Sequence, residues 1–345
     1  RMKSAAIQGF DEGEYGLFEE VEAWEKDLLT SVEQGVKSLL EIFSGSLFGH
    51  VHQAFGKTIQ DIVKSLTERR AEALGGEDKE QSESACTFAF CLGIDILETC
   101  GPESLQYIDV LLPALVMSLG SQSPDLRQAA AYGVGVCAEK SAPPDSSSSG
   151  GEAAAAAAAV VGAGSGFAGL ATHALGLLFN MIAAEDSQTE DCGGATDNAL
   201  SAVLKICQYR PDLCQPELIL PSLLTYLPLR FDIIEAHDAH RRLVAMLTGP
   251  SAHLVLGQDM ANLPAVLAAL AEMIVPQPAE DEESFSSHDE FWEHQLVNKE
   301  TRESIEMFLH HLQATLPEAI VKQAWEQLDT NQKKALQVST SSLIE

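Results

Sequence analysis

The chain has 345 residues, 46% hydrophobic and 21% charged, which supplies enough apolar side chain for a sizeable core and argues against global disorder. Against 51 acidic side chains stand 21 basic ones, a formal net charge of -30. Such a field repels phosphate backbones and anionic lipid and attracts basic polypeptides, which excludes a direct nucleic-acid binder.

In chain order, nearly every patterned segment reads as amphipathic helix. From Tyr15 to Phe43, apolar residues recur at helical spacing as Leu17, Val21, Trp24, Leu28, Val32, Val36, Leu39 and Leu40. A second stretch carries Val51, Phe55, Ile59, Ile62, Val63 and Leu66 down to Arg69 and Arg70, followed by a polar break from Gly75 to Glu80. A third helix is predicted from Ala85 to Cys100, ending at Gly101-Pro102. Four helix pairs follow: Gln106–Leu119 with a helix to Glu139, Phe167–Ala183 with Thr196–Tyr209, Pro216–Leu227 with Ile233–Leu247, and Leu263–Ile274 with Lys299–Leu312. A terminal helix over Glu318–Leu336 caps the series. Sustained period-two alternation is missing, so strands are not expected.

A phrase recurs along this series. Leu111-Leu112-Pro113-Ala114-Leu115-Val116 returns as Ile219-Leu220-Pro221-Ser222-Leu223-Leu224 and as Asn262-Leu263-Pro264-Ala265-Val266-Leu267. Each puts a proline near the predicted start of an apolar helix, where no backbone N–H is required. Pro221 and Pro264 are spaced by roughly 40 residues, the period of two-helix HEAT or armadillo units. The longer interval from Pro113 to Pro221 contains a Ser/Ala-rich run, 141–166, whose removal restores the period. The fold expected is therefore all-α, a HEAT-repeat solenoid of stacked antiparallel helix pairs. Its organisation is helical repeats with an acidic N-terminal segment over 1–80, repeats over 81–140, the insertion at 141–166, repeats over 167–275, an acidic loop at 276–298, and a last repeat helix with its cap over 299–345.

Signals that carry chemistry are weak. Gly164, Gly166 and Gly169 spell G-x-G-x-x-G, but polyalanine precedes them where a dinucleotide site needs a strand. His237 and His240 lie three apart beside Glu235 and Asp238, without a third metal ligand at a fixed offset. His310 and His311 are adjacent and cannot share a helix face. The seven cysteines show no C-x-x-C spacing and read as reduced core residues. No catalytic, cofactor-binding or metal site is assigned, and an enzyme is not expected. No signal peptide and no bilayer-spanning run is visible, and the opening Arg1 is consistent with a piece of a longer chain. The acidic residues of the first 30 positions, among them Glu19, Glu20, Glu22 and Asp27, read equally as a solubilising segment or as a surface for lysine-rich partners.

One segment carries a family resemblance. Ser123-Pro124-Asp125-Leu126-Arg127-Gln128 runs into Ala129-Ala130-Ala131-Tyr132-Gly133-Val134-Gly135-Val136. Pro124 and Asp125 start a helix, Arg127 is placed to pair across repeats, and the small residues admit close helix approach. This phrase resembles the signature of the importin-β superfamily, in particular the importin β3 type of karyopherin. Gly101-Pro102-Glu103-Ser104, Ala195-Thr196-Asp197-Asn198, Arg210-Pro211-Asp212, Leu254-Val255-Leu256-Gly257 and Asn262-Leu263-Pro264 resemble further segments of that family in the same order. The match runs from about residue 85 to 275 and corresponds to the C-terminal third of such a receptor. The insertion at 141–166 and the long acidic loop depart from the pattern, and Ala85, Cys86 and Phe88 stand where the family usually opens a helix with Asp, Arg and Trp.

The resemblance implies a nuclear import receptor shuttling between cytoplasm and nucleus. It implies lysine-rich cargo on the inner face, RanGTP bound mainly through N-terminal repeats, and phenylalanine–glycine nucleoporins on the outside, with no cofactor, no nucleic acid and no membrane insertion. Asp95, Glu98, Gln128, Asp197, Asn198, Glu235 and Asp238 are the candidate cargo contacts, with an inter-repeat structural role as the other reading of each. Pro113, Asp125, Arg127, Pro221 and Pro264 are read as structural repeat residues. A static HEAT scaffold within a multiprotein complex is the second functional reading.

Overall fold

The computed structural model describes residues 12–69, 77–142, 164–277 and 288–341, all helical or connecting, with no strand among them. They fall into two compact units that divide between Leu177 and Leu178.

The first unit contains α1 (Glu12–Phe43), α2 (Phe48–Val51), α3 (Lys57–Arg69), α4 (Glu77–Thr99), α5 (Gln106–Ser118), α6 (Pro124–Lys140) and the start of α7 (Gly164–Ile182). A π turn, His52–Gly56, joins α2 to α3. Helix α4 packs against α1, α3, α5 and α6, so its apolar residues Phe90, Leu92, Ile94, Ile96 and Leu97 are buried. It stops as predicted: Gly101 takes a left-handed φ of 70°, which an L side chain rarely adopts. The start of α6 also follows the sequence reading. Ser123 is the N-cap, accepting from the Leu126 N–H at 3.3 Å, with Pro124 in the first turn. Arg127 Nη1 donates to the Ser121 carbonyl at 3.0 Å, tying the helix to its own turn. The small residues serve close approach, since a Cβ on Gly133 would lie 2.7 Å from Ile94 Cδ1.

Helix α1 carries a different burden. Among its described side chains only Leu40 is buried, whereas Trp24 is 66% exposed and Leu28, Val32, Leu39 and Ile42 are also exposed.

The second unit holds the rest of α7, then α8 (Glu190–Tyr209), α9 (Pro216–Leu223), α10 (Ile233–Thr248), α11 (Ala252–Leu256), α12 (Leu263–Met273), α13 (His288–Glu293), α14 (Lys299–Thr315), α15 (Glu318–Glu326) and α16 (Thr330–Ser341). Helix α10 packs against α8, α11 and α14, and α12 against α15 and α16. Arg302 of α14 donates to the last-turn carbonyl of Ile274 at 3.0 Å, closing the end of α12.

Three expectations are corrected. Pro113 and Pro221 lie inside α5 and α9 rather than at their starts, and only Pro264 occupies the first turn. Pro113 is tolerated there because it is on the exposed side of its helix. The single terminal helix is two, since Asp329 Oδ1 accepts the N–H groups of Asn331 and Gln332 at 2.7 and 2.8 Å and starts a new one. The stretch read as an acidic loop ends in a short helix, α13; its residues 278–287, like most of the insertion at 141–166 and the first 11 residues, lie outside the described residues.

Candidate functional site

The seven candidate residues gather in two places. In the second unit, Asp197, Asn198, Ser201 and Lys205 follow one another at helical spacing along α8, and Asp232, Glu235, Asp238 and Arg242 face them from the start of α10 and its cap. Lys205 Nζ lies 2.8 Å from Glu235 Oε1 and 3.7 Å from Asp238 Oδ2. Ser201 also donates to Glu235. Arg242 Nε reaches Asp238 at 2.6 Å, and its Nη1 donates to the Tyr209 hydroxyl at 2.6 Å. Burial pushes the Asp238 carboxyl up, but Arg242, Lys205 and Arg241 outweigh it and hold the group below its usual range. Glu235 and Asp238 are thus each paired with a cation where water is scarce.

Asp197 has a separate task. Its Oδ2 accepts the backbone N–H groups of Arg230, Phe231 and Asp232 at 2.9, 2.6 and 2.9 Å. Burial pushes the carboxyl up to about 6 even against those three donors. Asn198 donates to Asp232 Oδ2 at 2.8 Å, and Asp232 Oδ1 caps α10 by accepting from Glu235 N–H at 3.0 Å. Gly193 lies beneath this turn, where a Cβ would fall 2.2 Å from Phe231 Cγ.

The histidine pair turned out to hold the chain rather than each other. His237 Nε2 bonds the Gln295 carbonyl at 2.7 Å. His240 accepts the Leu229 N–H at 3.1 Å and donates to the Leu296 carbonyl at 2.7 Å, with its pKa depressed by burial to about 4. No group of three or more His, Cys, Asp or Glu among the described residues is arranged to hold a metal ion. Gly164, Gly166 and Gly169 lie within α7 itself, not in a loop before it, and a Cβ on Gly166 would meet Asp109 Oδ1 at 2.7 Å. No helix among the described residues is long and apolar enough to cross a membrane.

In the first unit the other candidates sit on α4 and α6. Asp95 is 5% exposed, with Oδ1 3.6 Å from Lys37 Nζ and Oδ2 without a hydrogen-bond partner. Glu98 accepts the Tyr132 hydroxyl at 2.9 Å, while Lys140 donates to the Glu98 carbonyl at 3.1 Å. Glu33 of α1 adds a third carboxylate beside Cys91. Burial, with Glu33 and Glu98 nearby, pushes Asp95 up to about 7 despite Lys37.

Asp95, Asp197, Asn198 and Glu235 are therefore corrected as surface contacts: they are buried and engaged with neighbouring helices. Glu98, Gln128 and Asp238 remain half-buried with surface to offer. Lys37, Lys205, Tyr132, Tyr209, Asp232 and Arg242 complete the two clusters and were not singled out from sequence. Their signal was present on α8: polar residues at positions 197, 198, 201 and 205 interrupt an otherwise apolar helix, the mark of a buried polar stripe.

No family model matches the chain. A search of solved structures finds the crystal structure of a multiply substituted Kap121p, an importin-β family karyopherin. The likeness has a TM-score of 0.57 at 17% identity and covers 90% of this chain and 23% of that one. The fold is the HEAT-repeat fold. In the first unit α5 and α6 pack against each other. The chain thus matches less than a quarter of the length of this HEAT protein.

Proposed function

We propose that this chain is part of a nuclear transport receptor of the karyopherin superfamily, of importin β3 type, that carries basic cargo under Ran control and meets phenylalanine–glycine nucleoporins at the pore. The observation that carries the reading is the karyopherin-like HEAT fold in a chain of net charge -30, a pairing suited to lysine-rich partners. The contact surface includes Glu98, Gln128 and Asp238, which keep partial exposure beside the buried clusters. Asp238 is largely compensated by arginine and lysine, so Glu98, next to Asp95 and Glu33, is the stronger attractor for a lysine side chain.

The test is binding of a labelled lysine-rich import signal to a receptor containing this chain, at physiological salt, with and without RanGTP. Tight binding released by RanGTP is expected, and charge reversal at Glu98 should weaken it. Binding indifferent to RanGTP replaces transport by a static scaffold, and no binding removes basic cargo from the reading.

A further inference from the structure

Asp95 is a buried acid with only one of its oxygens served. It lies one turn from the end of α4, 5% exposed, on the side where α1 packs. Its Oδ1 is 3.6 Å from Lys37 Nζ, longer than the roughly 2.7–2.9 Å of a charge-assisted hydrogen bond. Its Oδ2 is enclosed without a hydrogen-bond partner among the described residues. Nearly every buried polar atom of a folded protein has a partner, so a carboxylate oxygen left over marks a place where a donor can be added.

The surroundings decide what kind of donor fits. Glu98 is one turn further along the same face of α4, and Glu33 stands one turn before Lys37 on α1. Both are half-buried. From α6, Tyr132 donates to the Glu98 carboxylate at 2.9 Å and Lys140 to the Glu98 carbonyl at 3.1 Å. On the other helices against α4, Leu111 of α5 lies over Gly93, while Lys57 and Asp61 of α3 pair with each other at 2.6 Å in solvent. A seat of this kind repels anions and suits a compact ammonium, whose three N–H donors reach several oxygens at once. Lys37 is the ammonium now in reach, and it is loosely held. Its side chain is half-exposed, and α1 buries only Leu40 among its described side chains.

We propose that Asp95, Glu98 and Glu33 form a seat for one lysine ammonium of a basic partner, and that Lys37 is a resident substitute that swings out to solvent when that lysine arrives. The entering Nζ takes the place of Lys37 beside Asp95 Oδ1 and supplies the donor that Oδ2 lacks. Lys37 thereby neutralises the seat while no partner is bound. The inference rests on the transport reading, since it takes the partner to be lysine-rich. Binding also moves a proton. Burial first, then Glu33 and Glu98, hold the Asp95 pKa up at about 7 despite Lys37, so the unliganded seat is partly protonated near neutrality. An ammonium entering it expels that proton.

The experiment titrates a receptor containing this chain with a labelled lysine-rich signal peptide across neutral pH, beside the same peptide with its lysines acetylated. Wild-type affinity is expected to rise about tenfold from about pH 6 to about pH 8, and the acetylated peptide should not bind. Asp95→Asn should lose that slope and about tenfold of the affinity at the upper end. Lys37→Met, which empties the seat, should bind several-fold tighter than wild type, a gain that a merely structural lysine would not give. Binding whose affinity and pH profile are the same in wild type and both variants overturns the seat and leaves the transport reading standing. Lys37→Met binding no tighter than wild type does the same. No binding of the lysine-rich peptide at any pH removes the transport reading, and this inference with it. Should Asp95→Asn fail to fold, the wild-type pH profile and the half-exposed Lys37→Met variant decide the matter.

Discussion

The two charge clusters differ in how their acids are compensated. Along α8 and α10, Glu235 and Asp238 meet Lys205 and Arg242 in a closed chain of ion pairs. On α1 and α4, Glu33, Asp95 and Glu98 share the half-exposed Lys37, and Asp95 keeps one buried oxygen without a hydrogen bond. The first arrangement joins helices; the second leaves a surplus of negative charge that a cation from outside can relieve.

The sharpest way to break this contrast is to remove one lysine from each cluster. Lys205→Met strands a buried Glu235 and should cost about 3–5 kcal/mol, read from denaturant unfolding with hydrogen exchange in α8 and α10. Lys37→Met, at a lysine whose side chain is 48% exposed, should cost no more than about 1 kcal/mol. Equal losses would erase the distinction. Next in size, Asp197→Ala leaves three backbone donors without their acceptor and should cost about 2–3 kcal/mol. Exchange protection at Arg230, Phe231 and Asp232 should fall with it, and unchanged protection there would refute the assigned role. Gly193→Ala should cost about 1–3 kcal/mol by forcing the Phe231 ring off its seat, visible as a lowered unfolding midpoint.

Two further effects are slopes with pH, and their signs oppose. The Asp95 carboxyl has its pKa raised from 3.8 to about 7, so the folded chain holds that proton more tightly than the unfolded one. Its contribution is full below about 3.8 and is lost as pH rises through about 7, a decline that Asp95→Asn should flatten. His240 is lowered from 6.5 to about 4, so its contribution is full above 6.5 and is lost as pH falls toward about 4. His240→Gln, which can still accept and donate, should flatten that loss. Matching slopes in wild type and variant would remove the residue from the account.

Helix α6 was legible in the sequence because its cap and close-packing signals are read from residue type alone: Ser123 and Pro124 act within one turn, and Gly133 admits Ile94 of α4 and Leu115 of α5. The division at Asp329 was hidden because a capping aspartate inside a polar run looks like any solvated residue. Pro113 misled for a related reason, since composition does not tell which side of a helix faces water. The candidate acids on α4, α8 and α10 fall into two clusters, but an isolated carboxylate carries no mark of burial. Only its partner does, and Lys205 and Glu235 are 30 residues apart.

The grip of Asp197 on three successive amides also constrains anyone wishing to rebuild the molecule. Because one oxygen accepts from Arg230, Phe231 and Asp232 together, the stretch from Arg230 to Asp232 has no slack in which to lengthen. A tag, a protease site or a grafted epitope placed there would shift at least one amide off that oxygen and pull on the cap of α10. Junctions for such alterations belong elsewhere, in segments whose backbone is not held by a single side chain.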